Sequence, residues 1–111
     1  MGMPSALLLS FAILSEVAAT VALRMSHGFS RPIPVLVVVV GYGISFWLLA
    51  LVLKDIPVAL TYAVWSGVGT ALIAIAGVTM FGETMNLFKV LSLMLIVAGV
   101  AGLSAAGGGA H

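Results

Sequence analysis

Pro32–Leu53 reads PIPVLVVVVGYGISFWLLALVL, a run with no Asp, Glu, Lys or Arg. A helix rises about 1.5 Å per residue and needs about 20 mainly apolar residues to cross about 30 Å of hydrocarbon. This run meets that length and leaves no charge stranded in lipid. Working outward from it, three similar stretches appear: residues 1–23, with Glu16 as the one charge, and the charge-free Ile56–Phe81 and Val90–Ala110. The Gly107-Gly108-Gly109 run at the end of the last is read as a frayed tail. The expected fold is an all-α membrane protein of four transmembrane helices, spans about 4–23, 33–53, 57–81 and 88–106, in a single domain over residues 1–111.

Composition agrees. The chain has 111 residues, 63% hydrophobic and 6% charged, with a mean hydropathy of +1.35. A water-facing surface needs about 25–35% charged side chains, so a soluble monomer is excluded. Net charge +1 from Arg24, Arg31, Lys54 and Lys89 against three acidic residues offers no basic stripe for a phosphate backbone, and nucleic acid is not an expected partner. The absence of cysteine removes disulfides, thiolate nucleophiles and cysteine metal sites. The first segment lacks the basic start of a signal peptide and has the apolar length of a full span, so it is read as a mature helix.

Short polar connections separate the runs, so neighbouring helices are expected to form antiparallel hairpins with both termini on one side. Pro34 and Pro57 lie near span starts, where a missing N–H costs least. Arg24, Arg31 and Lys89 fall on one side of the membrane and Lys54 with the α-amino group on the other. That bias specifies orientation weakly, leaving open insertion in both directions or a single orientation with the first loop cytoplasmic.

Glu16 is the one acidic side chain within a span. In a helix over residues 4–23 it lies about 4 Å from the centre, where an acidic group costs about 2.5–3.5 kcal/mol. Such a group belongs in a protein interior or a wet cavity and marks an ion or substrate path; the plain alternative is a protonated structural carboxyl. Burial without a counter-cation disfavours the charged form, so a carboxyl there holds a proton and yields it when a cation arrives. Competition between proton and cation is the core of an exchanger. At helical spacing Leu9, Ala12, Ile13, Ala19 and Thr20 share the Glu16 face, leaving room either for a ligand or for close helix approach.

Aromatic residues form stripes. Tyr62, Trp65, Ser66 and Gly69 follow i, i+3, i+4, i+7, and so do Tyr42, Ser45, Phe46 and Leu49. Such faces attract organic cations through the ring quadrupole, and a tyrosine hydroxyl in lipid seeks an acceptor such as a carboxylate. Packing aromatics are the alternative, the natural reading for Trp47 and Phe81; Tyr62 and Trp65 lie too far beyond Pro57 for the interfacial belt. Gly67 and Gly69 mark either a hinge in the third span or close backbone packing. Ser92, Leu95, Ile96, Gly99 and Gly102 place small residues on a stripe suited to a second copy. Four helices without an internal repeat do not readily enclose a cation site that opens to two sides in turn, so a second chain is expected to supply the other half. Were two copies inserted oppositely, their Glu16 carboxyls would share a chamber and titrate as a coupled pair.

The runs Ala12-Ile13-Leu14-Ser15-Glu16-Val17-Ala18-Ala19-Thr20, Gly28-Phe29-Ser30-Arg31, Ser45-Phe46-Trp47-Leu48-Leu49-Ala50, Tyr62-Ala63-Val64-Trp65-Ser66-Gly67-Val68-Gly69 and Leu95-Ile96-Val97-Ala98-Gly99-Val100 together resemble the small multidrug resistance family, over about residues 6–103. The resemblance implies an antiparallel homodimer of dual topology in a bacterial inner membrane, exporting cations in exchange for protons. It implies Glu16 as the shared proton and substrate carboxylate, Tyr62 and Trp65 lining the chamber, Gly67 and Gly69 as hinge, and a dimer contact on the fourth helix. The expected proton and substrate set is thus Glu16, Thr20, Tyr42, Ser45, Tyr62 and Trp65, the hinge Gly67 and Gly69, and the dimer interface Ser92 and Gly99.

Tyr42 with Ser45-Phe46-Trp47 looks like the branch exporting bulky aromatic and quaternary ammonium cations. The guanidinium branch usually has tryptophan three residues after the glutamate, where this chain has Ala19. Against that, Ala19 and Ala6 replace the glycine and tyrosine common in drug-exporting members, and Ser26-His27-Gly28-Phe29 and Gly82-Glu83 look nearer the guanidinium branch. A guanidinium exporter and a non-autonomous subunit of a heterodimer are therefore the alternatives. A rotary-ATPase proton carrier has a buried carboxylate but no ligand box, which Tyr42, Tyr62 and Trp65 at depth oppose. The expected partners are a small cationic substrate, protons, the lipid bilayer and a second copy. No enzymatic activity, cofactor or metal is expected, since the spans hold no second carboxylate, cysteine or histidine.

Overall fold

A computed structural model describes residues 4–106; the Gly107-Gly108-Gly109 run lies outside the described residues. The chain forms α1 (Ser5–Met25), α2 (Pro32–Val52), α3 (Val58–Phe81) and α4 (Leu87–Ala105), with no strand among the described residues. Each helix is long and apolar enough to cross a membrane. The fold class is all-α with four membrane-crossing helices.

Local chemistry sets the helix ends. The carbonyl of Pro4 accepts the N–H of Leu7 at 3.0 Å and of Leu8 at 3.1 Å, opening α1. α2 carries proline in its first turn, with Arg31 extended before it at φ −110° and ψ 120°, the region a following proline imposes. α3 begins after Pro57 and stops at Gly82, whose φ of 66° is left-handed, a conformation that glycine adopts without the clash of a Cβ. α4 starts on Asn86, whose side-chain oxygen accepts the Lys89 N–H at 2.9 Å, satisfying one of the donors a helix start leaves bare.

The chain divides into two compact hairpins, Met1–Asp55 and Ile56–His111. In the first, α1 and α2 run antiparallel and bury Leu9, Ala12, Ile13, Ala19 and Ala22 with Val38, Ser45, Leu48 and Val52. Gly41 permits this approach. A Cβ there would stand 2.8 Å from the Ala19 Cβ and 3.1 Å from the Ser15 carbonyl oxygen, closer than packed atoms tolerate, and small residues at such crossings are how membrane helices gain contact without a hydrophobic drive between them. The connecting turn winds around the fully buried Ser26, whose carbonyl accepts the N–H of Ser30 at 2.9 Å and of Arg31 at 3.2 Å. Its hydroxyl donates to the Leu23 carbonyl at 2.7 Å and accepts from the Phe29 N–H at 3.1 Å. These bonds hold His27, Gly28 and Phe29 at positive φ.

In the second hairpin α3 and α4 meet at Gly67, where an added Cβ would stand 2.7 Å from Val100 Cγ2 and 3.3 Å from Ile96 Cγ2. α3 buries Thr61, Gly67, Gly69 and Gly77; α4 buries none of its residues.

Candidate functional site

Glu16 lies on α1 in the middle of the first hairpin, half-buried as a residue. Thr20, one turn further along α1, donates its hydroxyl to Glu16 Oε1 at 3.2 Å. The same Thr20 oxygen lies 2.6 Å from the Tyr42 hydroxyl of α2. Glu16 Oε2 is enclosed and makes no hydrogen bond. On α1 and α2 the one basic residue is Arg24, about two turns beyond Glu16. One carboxyl oxygen is thus held by Thr20 and the other enclosed without a hydrogen bond, and a polar atom enclosed in that way costs free energy until it gains a partner.

The Tyr42 ring stacks on Phe46, centroids 6.2 Å apart and planes 16° apart, a spacing at which offset aromatic pairs attract. Phe46 is 57% exposed. Ser45 faces α1: it is fully buried and donates to the Ala12 carbonyl at 2.8 Å. Its place is the α1–α2 seam, one turn before Glu16 on α1, where it ties the two helices in register.

In the second hairpin, the Tyr62 and Trp65 rings lie 5.7 Å apart at 54°. Tyr62 is 62% exposed and Trp65 half-buried. The Ser66 hydroxyl donates back to the Tyr62 carbonyl at 2.7 Å, and Thr70 to the Ser66 carbonyl at 2.6 Å, the back-bonding by which hydroxyls in a membrane helix satisfy themselves. Gly67 and Gly69 are buried and α3 passes through both unbroken; at Gly67 the close approach of Ile96 and Val100 accounts for the glycine. Ser92 and Gly99 are exposed on α4. Ser92 donates to the Phe88 carbonyl at 2.8 Å, and open space surrounds the position a Cβ of Gly99 would take. Ile96, grouped with them by sequence spacing, points instead toward Gly67.

The structure thus gathers Glu16, Thr20 and Tyr42 in one hydrogen-bonded set, places Ser45 in the seam beside it, and pairs Tyr62 with Trp65. Among the residues near Glu16, Ala12 and Ala19 serve the helix contact: Ala19 faces Gly41 and the Ala12 carbonyl accepts from Ser45. Asp55 was not singled out from sequence, yet its Oδ2 accepts the Ser5 hydroxyl at 3.0 Å, tying the start of α1 to the turn after α2. No local pattern signals a bond between residues 50 positions apart.

Comparison with known proteins places the chain in a family. The family model described as Small Multidrug Resistance protein matches residues 5–96. The chain is 46% identical over 96 residues to the quaternary ammonium compound-resistance protein QacF of Klebsiella aerogenes, covering 86% of this chain and 87% of that one. It is 47% identical over 92 residues to the multidrug resistance protein EbrA of Bacillus licheniformis, covering 83% and 88%. It is 46% identical over 94 residues to the quaternary ammonium compound-resistance protein QacE of Escherichia coli, covering 85% and 86%. Four membrane-crossing helices and a family match over most of its length lead to one assignment: the chain belongs to the Small Multidrug Resistance family, and it is a multi-pass membrane transporter rather than an enzyme.

Proposed function

We propose that the protein is a proton-coupled antiporter that exports hydrophobic or quaternary ammonium cations across the bacterial inner membrane, working as an antiparallel homodimer. The observation that carries this reading is the Glu16 carboxyl, with Oε1 held by Thr20 and Oε2 enclosed and unbonded. A carboxyl in hydrocarbon is cheaper neutral than charged. An arriving organic cation supplies the missing counter-charge, so the proton leaves; reprotonation from the other side releases the cation. Proton and substrate occupy one carboxylate in turn, and that exclusion couples their fluxes.

Tyr42, Tyr62 and Trp65 supply the aromatic faces for the cation, where a desolvated cation–π contact contributes about 2 kcal/mol. Gly67 and Gly69 act as the hinge through which the open side changes, and the exposed α4 face with Ser92 and Gly99 meets the second copy. The names of the quaternary ammonium resistance relatives favour bulky ammonium cations over guanidinium as cargo.

The test is proton release from the purified protein in weak buffer on adding tetraphenylphosphonium or guanidinium, with Glu16→Gln as control. Release by the bulky cation, abolished in the variant, is expected. Release by guanidinium alone would move the cargo to that class, and release that persists in Glu16→Gln would overturn the exchange reading.

A further inference from the structure

The hydroxyl of Thr20 stands between two oxygens and has one hydrogen. That hydrogen is donated to Glu16 Oε1 at 3.2 Å. While the carboxyl is unprotonated, the 2.6 Å contact on the other side of the Thr20 oxygen, in which either oxygen could donate, is donated by Tyr42, giving a chain that runs Tyr42 O–H to Thr20 O–H to the Glu16 carboxylate. A second arrangement of the same oxygens is self-consistent when the proton sits on Oε1, whereas a proton on the enclosed Oε2 leaves the first in place. With a proton on Oε1, Glu16 donates to Thr20, Thr20 donates to Tyr42, and the phenol hydrogen turns away. Any mixed arrangement leaves two hydrogens, or none, between one pair of oxygens.

We propose that Thr20 and Tyr42 form a hydrogen-bond chain whose polarity reverses when Glu16 gains or loses a proton at Oε1, so that the state of the carboxyl is reported at the Tyr42 hydroxyl on α2. The inference rests on the reading of Glu16 as the proton and cation site. The one covalent change is the O–H bond at Glu16; Thr20 and Tyr42 keep their own hydrogens and rotate them. In the unprotonated state Thr20 makes a charge-assisted bond to the carboxylate, strengthened by the donation it receives from Tyr42. Both are positioning residues that lower the cost of the anion. Titratable and charged groups elsewhere in this hairpin are distant along the chain: Arg24 ends α1, α2 carries none besides Tyr42, His27 and Arg31 lie in or beside the first turn, and Lys54 and Asp55 lie in the turn after α2, Asp55 bonded to Ser5 at the start of α1. The ring stack on Phe46 fixes the phenol, so the reversal is a rotation of hydrogens and not a swing of the side chain.

The experiment is tetraphenylphosphonium binding to the full chain in detergent micelles as a function of pH, for the unaltered protein, Thr20→Val, Thr20→Ser, Tyr42→Phe, the Thr20→Val/Tyr42→Phe double variant and Glu16→Gln. Thr20→Val, nearly equal in volume, removes the donor and is expected to move the midpoint of the pH dependence upward by about one unit, a tenfold tighter hold on the proton. Thr20→Ser, which keeps the hydroxyl, is expected to restore most of the midpoint. Tyr42→Phe is expected to shift it in the same direction by less, and to add nothing in the Thr20→Val background, because Tyr42 acts on Glu16 through Thr20 alone. A Tyr42→Phe shift as large in that background as alone would overturn the chain while leaving Glu16 as the exchange site. Retention of the pH dependence in Glu16→Gln would instead sink the underlying reading.

Discussion

The two hairpins are built from similar apolar helices and are held together differently. Ser45 crosses from α2 to the Ala12 carbonyl, Tyr42 reaches Thr20, and Asp55 takes the Ser5 hydroxyl, so the first hairpin carries polar bonds along its whole length. At its crossing, Gly41 receives Ala19 and the Ser15 carbonyl, atoms that have little freedom to retreat. The second hairpin meets at Gly67 against the branched ends of Ile96 and Val100, and α4 buries none of its residues. Hydrogen bonds between helices in a membrane contribute about 0.6 kcal/mol on average, so three of them together with tight packing make a stiff frame. The comparison teaches where rigidity is wanted: the carboxyl proposed to discriminate proton from cation lies in the stiff hairpin, and the glycines proposed as a hinge lie in the other.

The largest expected effect tests that stiffness. Gly41→Leu places a side chain where Ala19 and Ser15 already stand, and overpacking of this kind costs about 1–3 kcal/mol. Titration of the micellar protein with a denaturing detergent, followed by helix content, should show a loss at the upper end of that range. A loss within about 0.5 kcal/mol, as for an ordinary surface change, would mean that the first hairpin is no stiffer than the second.

Ser45→Ala comes next. It removes the buried donor to Ala12 and leaves that carbonyl with its own helical partner, so the expected loss is about 1 kcal/mol in the same titration. Because Ser45 lies in the seam, cation binding at saturating concentration should survive. Binding lost while the fold stays intact would instead place Ser45 at the cargo. Gly67→Ala is expected to cost less, about 0.5 kcal/mol, since the atoms it meets are ends of Val100 and Ile96 side chains on a helix free to shift. Val100→Ala should erase that cost; persistence of it would show the second hairpin to be as tightly set as the first.

These contrasts also explain what was legible in the sequence. The helices were, because Pro32–Leu53 and its neighbours hold at most one charge each over the length a bilayer demands, and because Pro34 and Pro57 lie near span starts. Glu16 stood out as a lone acid in an apolar run, and the structure encloses one of its carboxyl oxygens. Ser45 was harder: a stripe of Tyr42, Ser45, Phe46 and Leu49 treats them as one face, whereas in the structure Ser45 is fully buried and Phe46 57% exposed. Adjacent residues on a helix diverge by about 100°, and which edge of a broad stripe turns inward is decided by the partner, here by Gly41 and Ala19. Ser5 with Asp55 was invisible, since chain periodicity carries no information about a bond between distant residues. Ile96 shows the same difficulty: 38% of it is exposed, yet its Cγ2 stands near Gly67.

The smallest effect on the fold of the chain itself is expected at Gly99, and it bears most directly on what covers α4. Nothing stands near the Cβ position of Gly99, so Gly99→Leu should alter the unfolding titration by less than about 0.5 kcal/mol. If the proposed second copy packs on this face, the same leucine holds the two backbones apart, and membrane helices that associate through small residues lose contact steeply when one is enlarged. Cross-linking in micelles should then show the dimer fraction falling while helix content stays unchanged. An unchanged dimer fraction would assign the exposed face of Leu95 and Gly99 to lipid and move the contact between copies to another helix, and the looser hairpin would then owe its looseness to motion rather than to an absent partner.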